Sequence, residues 1–117
     1  MSVPATRPSL AWLTIRLTAI VLAVLVLAHF AVTHLLTDVA ETDSSFVATR
    51  WQSGIVAATD WLMLVAAVAH GAAGGWTIAG DYVRNPRTLR LVRRALVALA
   101  LALVGVGTAT LIVVLGR

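Results

Sequence analysis

The sequence predicts an all-α integral membrane subunit with three transmembrane helices. Three observations carry that prediction. Hydrophobic residues make up 60% of the 117 and charged ones 12%, too little polar material to cover a water-soluble globule of this size. The apolar residues gather into three runs, each long enough to cross a hydrocarbon layer of about 30 Å. Most charged residues fall between those runs or near their ends, and mean hydropathy over the chain is +0.94. A chain this short forms one membrane-anchor domain, residues 1–117.

Residues Met1 to Ser9, with Pro4 and Pro8, form a short polar lead, poorly ordered unless a partner holds it. The first span covers about 10–36. A cleaved signal peptide has an apolar core of about 7–15 residues, shorter than this run, and no small-residue cleavage site follows. The first polar connection, 37–54, holds Asp38, Glu41 and Asp43, with Arg50 and Trp51 near its end. Trp51 and Trp61 bracket the entry to the second span, where amphipathic indoles suit a membrane interface. That span covers about 55–80. The second connection, 81–90, is punctuated by Asn85-Pro86, because a proline disfavours helix at the residue before it. The third span, about 91–115, has no ionisable residue past Arg94. There is no internal repeat.

The chain has no cysteine, which excludes disulfides, thiolate zinc sites and cysteine-ligated iron–sulfur clusters on it. All 9 basic residues are arginine, and the formal charge is +4. They flank apolar spans, so membrane topology explains them better than a nucleic-acid partner does. Arg84, Arg87, Arg90, Arg93 and Arg94 crowd the second connection, whereas the first is acidic. The positive-inside rule then puts the N-terminus and the 81–90 loop in the cytoplasm, and the first connection and C-terminus outside.

Ionisable groups inside a bilayer are costly, so each needs a partner or a task. His70 lies about ten residues from each end of its span and is followed by Gly71, Ala72, Ala73, Gly74 and Gly75. Small residues there let a helix backbone, or a flat macrocycle, come close. A neutral imidazole is a good axial ligand for haem iron. The alternative is that His70 hydrogen-bonds between helices and the glycines only allow packing. Asp81 follows His70 by eleven positions, about three turns, which puts both on one face roughly 16 Å apart. Tyr82 beside it is a phenol next to a carboxylate, able to donate a hydrogen bond to a quinone carbonyl. Its alternative is an interfacial anchor, with Asp81 paired to a loop arginine. Arg16 either snorkels to the interface or clamps a carboxylate such as a haem propionate. His29, placed by residue count at about the depth of His70, is either a second haem contact or an interhelical hydrogen bond; the second reading is favoured, as it is for His34.

His70-Gly71, then Trp76-Thr77 and Asp81-Tyr82-Val83-Arg84, resemble the small membrane-anchor (D) subunit of succinate dehydrogenase, the succinate:quinone oxidoreductase. Arg16-Leu17-Thr18-Ala19-Ile20-Val21-Leu22 resembles the first helix of that family, and Arg50-Trp51 and His29 resemble some of its members. The resemblance runs from Arg16 to the end of the third span. It implies His70 as an axial ligand of haem b, with the other ligand on a larger anchor subunit, and Arg16 facing a propionate. It implies Tyr82 hydrogen-bonding ubiquinone or menaquinone, with Asp81 in support. FAD and iron–sulfur clusters would belong to a flavoprotein and an iron–sulfur partner. The resemblance implies a prokaryotic inner (plasma) membrane, a non-catalytic role in an oxidoreductase, and leaves room for a trimer of the complex. Some members carry a further histidine before the first-helix arginine, where this chain has Leu10, Ala11 and Trp12; related complexes hold none, one or two haems. Two other classes stand beside this reading: a cofactor-free assembly protein, and a small transporter using His70 and Asp81 as a proton relay.

Overall fold

A computed structural model describes residues 9–116; the proline-containing lead with Arg7, and Arg117, lie outside them. Among the described residues every regular element is helical. The order is α1 (Leu10–Phe30), a π-helical turn (Ala31–Leu35), a 3₁₀ turn (Val39–Glu41), α2 (Ser44–Trp51), α3 (Gly54–Tyr82) and α4 (Pro86–Leu115). Three helices are long and apolar enough to cross a membrane: Leu10–Leu35, Gly54–Tyr82 and Pro86–Leu115. The chain is therefore an all-α, multi-pass membrane protein.

Three of the four α-helix starts carry a side-chain cap; Ser53, before α3, makes none. Ser9 caps α1 by accepting from the Trp12 amide at 3.2 Å. Asp43 caps α2 by accepting from the Phe46 amide at 2.9 Å and from the Ser45 hydroxyl at 2.7 Å. The Ser45 bond first, then the Phe46 amide, holds the Asp43 carboxyl below its ordinary range. Because that pKa is lowered in the fold, the cap is intact above the usual carboxylate range and is lost as pH falls through the lowered value.

The second connection differs from expectation. Asn85 caps α4 by accepting from the Arg87 amide at 2.9 Å, and Pro86 occupies the first helical turn, where its missing N–H costs nothing. The helix starts at Pro86 rather than near Leu91, and α3 runs on to Tyr82. What reads as a ten-residue loop is a turn of Val83, Arg84 and Asn85. Asp81 and Tyr82 therefore ride on the last turn of α3, and Arg87 to Arg94 on the first turns of α4. The first connection likewise contains α2, packed on α3 and α4.

α3 is the middle element, packed along α1 on one side and α4 on the other. Its buried apolar residues are all alanine: Ala57, Ala66 and Ala79. Small side chains at these seams let backbones approach, as helix packing in lipid requires. Against α4, Gly75 lies under Leu96, 3.2 Å from where a Cβ would stand, and a Cβ at Gly107 would run into Leu64. The Trp61 indole donates to Thr108 Oγ1 at 2.9 Å across the same seam. Most large apolar residues of α1 and α4 face outward, where lipid or partner helices cover them.

Candidate functional site

Two polar cross-links join α1 to α3 and fix their antiparallel register. Near the arginine-rich end, Thr18 Oγ1 lies 3.0 Å from His70 Nδ1. Toward the α2 end, His29 Nδ1 lies 3.3 Å from Asp60 Oδ1. His70 and Asp60 are ten residues apart on one helix, about 15 Å of axial rise. His29 is thus one such step from His70 along the bundle, and the expectation that the two share a depth is corrected. Residue counts from span ends mislead because they carry no register between two helices, which only the cross-links supply.

His70 is half-buried, and its Nε2 makes no hydrogen bond among the described residues. Gly71 and Gly74, beside it on α3, have no atom within 4 Å of where a Cβ would stand, so this flank of the helix is open. Gly71 also borders a groove against α4 with Leu96 and Leu99, and Tyr82, eleven residues or about three turns beyond Gly71, is 82% exposed. Asp81 diverges from it by about 100°. Its side chain lines a cleft of about 700 Å³ between the ends of α1, α3 and α4, with Ser9, Thr14, Trp76, Thr77 and Arg93. The two residues read as a pair in sequence thus face different surroundings on this chain. Among the described residues Asp81 is in no ion pair.

Arg16 is exposed, its guanidinium carbon 4.5 Å from the centroid of the Trp12 ring one turn earlier. Arg93 stands 4.5 Å over the Trp76 ring, with Nε buried and unpartnered, and a Cβ at Gly80 would come within 3.1 Å of its Nη2. His34 stacks on Phe30 at 4.6 Å, and its Nδ1 lies 2.7 Å from Thr33 Oγ1 within the π-helical turn.

The most connected polar group is one that sequence reasoning passed over. Asp60 meets His29 through Oδ1, accepts from Trp51 Nε1 at 3.0 Å and lies 3.7 Å from Arg50 through Oδ2. Thr18 and Arg93 were also missed. The signal for Asp60 was available: a carboxylate five residues inside an apolar span needs partners as much as a histidine does. Thr18 carried a weaker one, a hydroxyl spaced one turn from Thr14 on a mostly apolar helix.

Among the described residues no three His, Asp or Glu side chains converge, so a metal ion held wholly by this chain is not built. A single imidazole with Nδ1 engaged and Nε2 free is the donor that a metal already held in another frame can use. No curated protein matches the chain. The family of succinate dehydrogenase/fumarate reductase transmembrane subunits matches residues 3–109, nearly the whole sequence and all three helices. With that match and three membrane-length helices, the chain belongs to the family of succinate dehydrogenase/fumarate reductase transmembrane subunits, the membrane part of a complex with other subunits.

Proposed function

We propose that this chain is the small anchor subunit of a succinate dehydrogenase in which His70 is an axial ligand of haem b, and Tyr82 and Asp81 form part of a quinone site. The observation that carries the proposal is the state of His70. Its Nδ1 is engaged by Thr18, its Nε2 is free, and the neighbouring Gly71 and Gly74 leave the helix flank open. These residues fit a porphyrin iron: a nitrogen donor on a surface that lacks side-chain bulk. When bound, the haem supplies a one-electron carrier. A larger anchor subunit would supply the other protein ligand to that haem. His29, whose Nδ1 is taken by Asp60, keeps a free Nε2 and is where a second haem would attach.

This chain's own residues do the rest. The Arg16 guanidinium, steadied on Trp12, offers paired donors to a propionate carboxylate. The Tyr82 hydroxyl, on the outward flank of the last α3 turn, donates to a quinone carbonyl that a partner subunit encloses. Asp81, one residue back and facing the cleft, supplies protons from the aqueous edge. The arginines at the start of α4 support, by the positive-inside rule, a cytoplasmic side for these groups in a prokaryotic plasma membrane, the side on which a flavoprotein with FAD and an iron–sulfur subunit would dock.

The reading is tested by a reduced-minus-oxidised optical spectrum of the complex purified through this chain from its native membrane. A b-type band together with flavin supports it. Flavin without a b-type band leaves a haem-free anchor, and the absence of both signals overturns the assignment to a respiratory complex. A second reading, that His70 serves packing alone, has the Thr18 bond in its favour and is separated by the same spectrum. For the quinone site, Tyr82→Phe is expected to lower succinate-driven quinone reduction about 10²-fold, the low end of what a positioned proton donor contributes. Reduction of a dye that takes electrons directly from the flavoprotein is expected to stay at the wild-type rate. Equal quinone rates in variant and wild type would remove Tyr82 from the site.

A further inference from the structure

We infer that Thr18 is a positioning residue that fixes the tautomer and donor strength of His70; the inference rests on the haem reading above. A threonine hydroxyl carries one proton. At Thr18 that proton is committed to the backbone, since Oγ1 lies 2.5 Å from Thr14 O and 3.3 Å from Ile15 O. The bond to the carbonyl four residues back is the habit of threonines throughout this chain, made also by Thr14, Thr33, Thr59, Thr77, Thr108 and Thr110. Only the lone pairs of Thr18 Oγ1 are left to face His70 Nδ1 at 3.0 Å. A lone pair requires a donor opposite it, so the imidazole proton sits on Nδ1 and the unprotonated nitrogen is Nε2.

Three consequences follow for a ring that binds iron. The ligating tautomer is present before the metal arrives, so no proton has to move. A hydrogen bond from Nδ1–H raises the basicity of the opposite nitrogen and fixes ring orientation. The ring is also tied to a second helix. All three histidines have Nδ1 engaged, but His29 faces a carboxylate and His34 its own sequence neighbour. His70 alone is set by a hydroxyl from another span, so the α1–α3 register determines the aim of Nε2.

The test compares purified wild-type complex with Thr18→Val, Thr18→Ser and His70→Ala, reading haem midpoint potential and haem-to-flavin ratio rather than turnover. Thr18→Val keeps a similar shape and removes the acceptor. A weaker donor stabilises ferric iron less, so the midpoint rises. The expected rise is about 59 mV, the one-electron equivalent of a tenfold change in the preference for ferric over ferrous iron. Thr18→Ser keeps the oxygen and is expected to hold the wild-type midpoint. A wild-type midpoint in Thr18→Val overturns the inference, and so does an equal shift in Thr18→Ser, which would make the effect one of packing. Should Thr18→Val fail to assemble, Thr18→Ala is read by the same criteria. A b-type band that survives in His70→Ala rejects the haem reading itself, an outcome distinct from failure of the Thr18 inference.

Discussion

Replacing His70 with alanine is expected to remove the b-type band from the purified complex while flavin and the partner subunits are retained. On the proposed reading His70 would be one of the protein ligands that hold the haem iron, and among the described residues no other free imidazole stands at that level. His29 is about 15 Å away along the bundle and His34 farther still. A side-chain hydrogen bond to Thr18 is lost as well, at a typical cost of about 1 kcal/mol, too little to unfold three membrane spans. The variant therefore separates cofactor loss from collapse. Haem-to-flavin ratio is the measurement, and a ratio equal to wild type would assign the haem to partner histidines. A parallel His29→Ala is expected to leave the main band in place, because His29 stands about 15 Å from the level of His70 along the bundle.

What the sequence disclosed is what depends on period and composition. The three spans stand out because a helix in lipid must be apolar over about 20 residues, a signal that no neighbouring element can alter. The spacing of His70, Asp81 and Tyr82 was legible for the same reason: one helix carries all three, and its geometry is fixed. Relations between helices were not legible. Asn85-Pro86 carried two meanings, a stop for the helix before it and a cap for the one after, and the structure shows the second. The depth of His29 required a common zero for two helices, which span ends do not provide and the Thr18–His70 and His29–Asp60 contacts do. The partners of Asp60 come from α1 and α2, and α2 is a short helix inside what composition reports only as a polar segment.

Asp60 is where the second large effect is expected. Its carboxylate, with 15% side-chain exposure, receives Trp51 Nε1–H and faces His29 and Arg50, and so ties α2 and the end of α1 to α3. Asp60→Leu leaves three donors without an acceptor in partly apolar surroundings. Each orphaned donor costs about 1–3 kcal/mol when buried, and Arg50 and His29, at 19% and 37% exposure, recover part of that from water. A net loss of about 2–4 kcal/mol follows, read as a lower midpoint of thermal denaturation in detergent. Asp60→Asn, which keeps an oxygen for Trp51, is expected to lose less. The sharper test removes the partners too. Arg50→Leu and His29→Leu, combined with Asp60→Leu, take away two of the three stranded donors together with their acceptor and leave only the Trp51 indole unpaired, so most of the loss is expected to be recovered. The triple variant is therefore expected to be more stable than Asp60→Leu alone. Additive losses instead would mean that these side chains act separately, and that the contact between α1 and α3 at this end rests on apolar packing.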